Sequence, residues 1–110
     1  MSSSTDVVQR QLEAYNRKDA AVLAAIYAED AELFAHPNTL LAKGRAAILA
    51  RYTARFQDQT LRADLLQRIP MGDMVLDHER IHSGGQISDI FALYRVVGEH
   101  IVAAWFINPT

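Results

Sequence analysis

The sequence predicts an α+β fold in which helices pack on one face of a curved, mainly antiparallel sheet, and three observations carry that prediction. Apolar residues recur at helical spacing through most of the first half of the chain. In the second half they alternate or run on at strand length, and turns rich in Gly and Pro separate those runs at short intervals. Helices first and strands last is the order of an α+β domain, not of a β-α-β repeat. The 110 residues, half of them hydrophobic and 22% charged, fit one globular domain. A chain of this size hides roughly two thirds of its unfolded surface, enough for a core.

The first helix is read over Val7 to Tyr15, where Val7, Val8, Leu12 and Tyr15 form one stripe and Thr5 or Asp6 caps the free amides. Residues 1–5 ahead of it are expected to be disordered. Asn16, Arg17 and Lys18 break the stripe, and Asp19 opens a second short helix with Val22, Leu23, Ile26 and Tyr27 on one side. Glu32, Phe34 and His36 then alternate with Leu33 and Ala35, a strand that Pro37 ends because it cannot donate to a ladder. A loop through Pro37, Asn38 and Thr39 leads to Gly44 and a third helix over Arg45 to Phe56, with Ile48, Leu49, Tyr52 and Phe56 at helical spacing. Arg51 and Arg55, one turn apart, read as a solvated face and are assigned no function.

Four strands complete the chain: Leu61 to Ile69, Met74 to His82, Gln86 to Val97 and Ile101 to Ile107. Pro70 and Gly72, then Ser83-Gly84-Gly85, then Gly98-Glu99 supply the turns between them, which makes an antiparallel meander. There is no internal repeat and no linker.

Charge and composition exclude several classes of function. With 11 basic and 13 acidic side chains the formal charge is -2, and no Lys/Arg stripe is present to neutralise phosphates, so nucleic acid is not an expected partner. The absence of cysteine removes disulfides, thiolate metal sites and a cysteine nucleophile. The longest apolar stretch, Ala20 to Ala28, is far short of the roughly 20 residues that span a bilayer. The first residues have neither the basic start nor the apolar run of a signal peptide, and a cytoplasmic location is expected.

The segment His78-Glu79-Arg80-Ile81-His82 matches H-E-x-x-H, the zinc-peptidase pattern. That chemistry needs a helix, which brings two imidazoles four residues apart onto one metal. On a strand the same four residues span roughly 13 Å. Met71, Met74, Val75 and Ile81 also satisfy a helical stripe, so the local pattern fits either element, but the glycine pair that follows, Ser88 where a third histidine would fall in the longer motif, and the short chain weigh against zinc, and no metal or cofactor is expected. On the strand, His78, Arg80 and His82 share one face and Asp77, Glu79 and Ile81 the other. One face lines a cavity or a subunit interface, and a one-residue error in phase would exchange the two sets.

Gln11 lies on the apolar side of the first helix between Val7 and Tyr15, where its amide needs a partner or costs roughly 1 to 3 kcal/mol. It faces either a wet cavity or a loop carbonyl, and Tyr15 has the same choice between packing and offering its hydroxyl. His36 ends the first strand beside Phe34 and Glu32, and an imidazole is a natural proton acceptor near neutrality, although an exposed turn residue is the plainer reading.

The order of elements together with Val7-Val8-Gln9-Arg10, Tyr15-Asn16, Asp19, Tyr27-Ala28-Glu29-Asp30-Ala31, Pro37, Gly44-Arg45 and Ala104-Trp105-Phe106 resembles the nuclear transport factor two-like superfamily. The SnoaL-like and ketosteroid-isomerase-like proteins are the most similar within it. The resemblance spans about residues 6 to 108. It implies three N-terminal helices on a strongly curved mixed, mainly antiparallel sheet that forms a cystatin-like cone around an apolar pocket, with homodimers paired through the outer sheet face. It also implies a small hydrophobic molecule as partner, and no nucleic acid or membrane.

Isomerases of that group move a proton beside a ketone with a carboxylate base and an oxyanion hole of tyrosine plus a protonated aspartate. By the resemblance these three fall at His36, Gln11 and Ala92. A glutamine amide still donates to an oxyanion and a histidine still accepts a proton, whereas Ala92 donates nothing. The same correspondence puts His78, Arg80, Tyr94, Ala104 and Phe106 on the cavity side. The expected catalytic pair is thus His36 and Gln11, with Tyr15, Phe34, His78, Arg80, Tyr94 and Phe106 binding the ligand. Two functions follow: an enzyme that transfers protons on a small hydrophobic carbonyl compound, or a noncatalytic dimeric protein that binds a small molecule.

Overall fold

Three helices and six strands follow one another in a computed structural model that describes residues 2–108. Helix α1 (Ser4–Arg17) starts one turn earlier than its apolar stripe. Ser3 is the cap, accepting from the Asp6 amide while the Asp6 carboxylate accepts from the Ser3 amide, a reciprocal capping box that neither Thr5 nor Asp6 alone would form. Ser4 and Thr5, within the segment expected to be disordered, therefore form its first turn. Lys18 closes α1 in the left-handed region at φ 57°, and Asp19 at once caps α2 (Ala20–Ile26) by accepting from the Val22 amide.

Strand β1 (Tyr27–Ala35) begins directly at Tyr27, five residues before the alternation becomes visible in the sequence. The loop expected after Pro37 contains a further strand, β2 (Thr39–Lys43), antiparallel to β1. It is short, and as an edge strand it needs no apolar outer face, so its pattern is faint. Helix α3 (Arg45–Arg55) follows Gly44, whose φ of 90° few other residues adopt and whose amide donates to the Ala31 carbonyl at 2.7 Å.

The meander is β3 (Arg62–Met71), β4 (Met74–Ser83), β5 (Gln86–Val97) and β6 (His100–Ile107). The sheet order is β2-β1-β6-β5-β4-β3. Every pairing is antiparallel except β1 with β6, so the sheet is mixed and open. Register breaks at Leu33/Phe34, Leu65/Gln67 and Arg95/Val96 mark bulges, which bend the strands and deepen the twist. The result is a cone whose concave face is covered by α1 over β3 to β6 and by α3 over β1 and β2.

The core lies between helices and sheet. Val7 and Val8 from α1, Leu23 from α2, Ile48 from α3 and Leu33, Val75 and Ile101 from the sheet are all fully buried. Each contributes about 1.5 to 3 kcal/mol of hydrophobic stabilisation before the chain entropy is subtracted. One ion pair is sunk into this layer: Asp77, 0% exposed, accepts two hydrogen bonds from Arg68 at 2.7 and 2.9 Å, and a third Arg68 N–H donates to Gln9 of α1 at 2.8 Å.

Candidate functional site

Strand phase decides which residues can form a site. In β4 the buried residues are Val75, Asp77 and Glu79, with Ile81 next in line, so these face the helices. His78, Arg80 and His82 therefore lie on the outer face, opposite to the phase expected for His78 and Arg80. There His78 stacks on Phe91 with ring centres 4.6 Å apart and reaches the Asp89 carboxylate at 3.1 Å, which Arg80 also holds at 2.9 Å. His82 instead meets Asp64 at 2.8 Å. The H-E-x-x-H segment is extended, its two imidazoles bound to different carboxylates while Glu79 points away from both.

The same one-residue exchange applies to β1. Leu33 is buried and Ala35 borders a cavity, whereas Phe34 stacks on Trp105, whose neighbours in the sheet, Ala104 and Phe106, point inward. His36 follows Phe34 outward, is exposed, and uses its backbone amide to bond the Phe106 carbonyl at 2.9 Å. Neither His36 nor Phe34, His78 or Arg80 lines the cavity. Gln11, Tyr15, Tyr94 and Phe106 do.

The cavity measures about 360 Å³ and lies between α1, α3 and the concave sheet face. That is the lower end of the roughly 300 to 1,000 Å³ occupied by small-molecule sites. Its lining is graded from inside to outside. Buried polar groups form the floor: Gln11 at 3% exposure, Glu79 at 7%, and the hydroxyl-bearing Tyr15, Tyr52 and Tyr94. Half-buried Ala35, Leu41, Ile81, Ile90 and Phe106 form the walls. Exposed Arg51, Arg55 and Asn108 form the rim.

Glu79 dominates the electrostatics of the floor. Burial, then the neighbouring Asp77 charge, push its carboxyl from 4.5 up to about 7, with Arg68 acting in the opposite direction. It is therefore divided between acid and carboxylate at neutral pH. All four tyrosines of the chain, Tyr15, Tyr27, Tyr52 and Tyr94, have hydroxyls pushed above the usual range, by burial first and with the Glu79 charge adding to it. They stay protonated donors. The Tyr94 hydroxyl donates a long bond, 3.4 Å, to the Gln11 side-chain oxygen, which leaves the Gln11 NH₂ group to donate elsewhere. Arg55 donates to the Tyr15 oxygen at 3.0 Å, so the Tyr15 hydrogen is likewise available.

Sequence reasoning missed Glu79, Tyr52, Arg51 and Arg55 as cavity residues. Alternation does not single out Glu79, since its phase carries Val75 and Ile81 and the opposite phase Met74 and Leu76, two apolar residues each. No signal marks the two arginines either, because a rim residue and a solvated one look alike in a helical pattern.

A cone of this kind, with three helices over an open mixed sheet and a cavity inside, defines the class as nuclear transport factor two-like. The chain belongs to the SnoaL-like domain family, whose model matches residues 8–104. Solved structures agree. A cystatin-fold protein from Novosphingobium aromaticivorans superposes with a TM-score of 0.90 at 19% identity, covering 98% of this chain and 100% of that one. A candidate ketosteroid isomerase from Kribbella flavida gives 0.85 at 15% identity, covering 97% and 78%. A candidate polyketide cyclase from Streptomyces antibioticus gives 0.79 at 19% identity, covering 94% and 90%. No curated protein matches the chain. At these identities the likeness extends to the fold. No helix among the described residues is long and apolar enough to cross a membrane.

Proposed function

We propose that the protein is an enzyme that transfers a proton on a small, mostly apolar carbonyl compound, with Glu79 as the group that exchanges the proton. The single observation that carries this reading is a carboxyl at 7% exposure, held near pKa 7, on the floor of a cavity beside unused hydrogen-bond donors. A base poised at the working pH combines availability with driving force. The ionised Glu79 takes a proton from the carbon next to the carbonyl, the electron pair of that C–H bond moves to form the enolate, and the oxygen charge is met by the Gln11 amide and the Tyr15 hydroxyl. The protonated Glu79 then returns its proton to a different carbon, completing an isomerisation, or to the same one. Support from outside the chain is the SnoaL-like family and neighbours described as a candidate isomerase and a candidate cyclase.

Exchange of the enolisable hydrogens of 2-tetralone for deuterium, followed by NMR in D₂O, tests this. Glu79→Gln is expected to lower the catalysed rate at least about a hundredfold while His36→Ala leaves it unchanged. Exchange that survives Glu79→Gln overturns the assignment.

A second reading, a noncatalytic binding protein, is favoured by Ala92: it is fully buried and offers no donor at the position where the resemblance implies the family's second oxyanion donor. Compounds that raise the melting temperature of the protein but are recovered unchanged would support it. In both readings the protein is a homodimer through the outer sheet face, where Phe34, Trp105, Phe91 and Leu93 leave a half-buried apolar patch.

A further inference from the structure

We infer that the cavity takes an amphipathic monoanion: a small apolar molecule with a carboxylate at one end, held by Arg51 and Arg55 at the rim, and a neutral carbonyl or hydroxyl at the other, placed on the Gln11–Tyr94–Glu79 floor. The inference rests on the reading of the cavity as a small-molecule site and adds the charge and orientation of what enters it.

The two arginines stand four residues apart on α3, hence on one face, and both border the opening. Arg10, Arg62, Arg68, Arg80 and Arg95 each hold a carboxylate of this chain. Arg51 and Arg55 hold none among the described residues. Arg55 is nevertheless fixed in place: its Nε donates to Tyr15 at 3.0 Å and its guanidinium carbon lies 6.0 Å from the centre of the Tyr15 ring. The remaining N–H groups of that planar fork are free for a bidentate contact with a carboxylate. Two adjacent cations without a counter-ion repel one another, and an anion at the rim removes that repulsion.

The rest of the lining sets the remaining chemistry. Glu79 is the one carboxylate among the described lining residues, and it lies at the buried end, away from the rim. A negative charge pushed down to it would be repelled by its ionised form, so the far end of the ligand is neutral. Between floor and rim the walls are apolar, so the middle of the ligand must be hydrocarbon or aromatic. A molecule neutral throughout leaves the rim cations unused, and one without a polar far end leaves the buried Gln11 amide unused.

The test compares two fluorescent probes of one shape, 6-hydroxy-2-naphthoate and its neutral amide 6-hydroxy-2-naphthamide, titrated into the protein at neutral pH and low salt. The acid is expected to bind about tenfold more tightly, and added salt is expected to erode the difference. Arg51→Gln, an exposed position, should remove part of the preference and Arg51→Gln with Arg55→Gln all of it. Equal affinity for acid and amide in the unmodified protein, or a preference that persists in the double variant, overturns the anion inference and leaves the small-molecule reading standing. Failure of both probes to bind overturns both together.

Discussion

Replacing Glu79 by glutamine is expected to stabilise the protein at alkaline pH and to change little at acidic pH. The carboxyl stands at about 7 in the folded chain against 4.5 for the free group, raised by burial and then by the Asp77 charge. Between those two values the folded state binds more protons at this site than the unfolded state does, so stability falls as pH rises from the lower value through the higher one. The gap corresponds to roughly 3 kcal/mol, present in full as a penalty once the pH exceeds the folded value. Glutamine is close in shape to the protonated acid and carries no charge at any pH. The variant should therefore match the unmodified protein near pH 4 and exceed it by up to roughly 3 kcal/mol near pH 9, a rise of roughly 10 °C in melting temperature for a domain of this size. Urea unfolding followed by circular dichroism across that range measures the difference directly. Subtracting one protein from the other cancels the surface carboxylates Asp58, Asp64, Asp89 and Glu99, which are all held below their usual range by hydrogen bonds. A difference that stays flat with pH, or that favours the unmodified protein at high pH, would show that Glu79 is solvated and refute its role as a group poised at neutrality.

Three further outcomes follow from the same geometry. Asp77→Asn leaves the guanidinium of Arg68, whose side chain is only 12% exposed, without its charge partner; it should cost about 3 kcal/mol in urea unfolding and move the pH midpoint of any Glu79-dependent reaction downward, and a cost below about 1 kcal/mol would contradict the buried pair. Gly44→Ala meets only the Glu29 carbonyl at 3.6 Å, an ordinary contact, so its expected loss of about 1 to 2 kcal/mol by thermal unfolding comes from holding alanine at φ 90°. Trp105→Glu places a charge in the stacked pair with Phe34 on the outer sheet face and should convert a dimer into a monomer in sedimentation velocity, whereas an unmodified protein that sediments as a monomer at high micromolar concentration removes the dimer.

The elements of this protein are legible in its sequence because each buries one side. A helix in contact with a core repeats its apolar residues every three to four positions, as Val8, Leu12 and Tyr15 do, and a strand over a core repeats them every two, as Ala92, Tyr94 and Val96 do. Caps and turns added the breaks at Lys18, Gly44, Gly72 and Gly98. The short strand Thr39–Lys43 escaped because an edge strand with one buried residue, Ala42, has too little pattern to show. Of the cavity lining, Gln11 and Tyr15 were legible as a polar and an aromatic residue on the apolar side of the first helix, and Tyr94 and Phe106 only through the family resemblance.

What only the tertiary structure decided is which side of a strand with two mixed faces turns inward. Along β4 both phases carry charge, and the choice between His78 with Arg80 and Asp77 with Glu79 is settled by partners remote in sequence: Arg68, nine residues back on β3, and Gln9 on the helix above. Alternation is a local property and names two faces without saying which is inside. Packing is a long-range one, and here it placed the acid in the cavity and the imidazoles on the outer face.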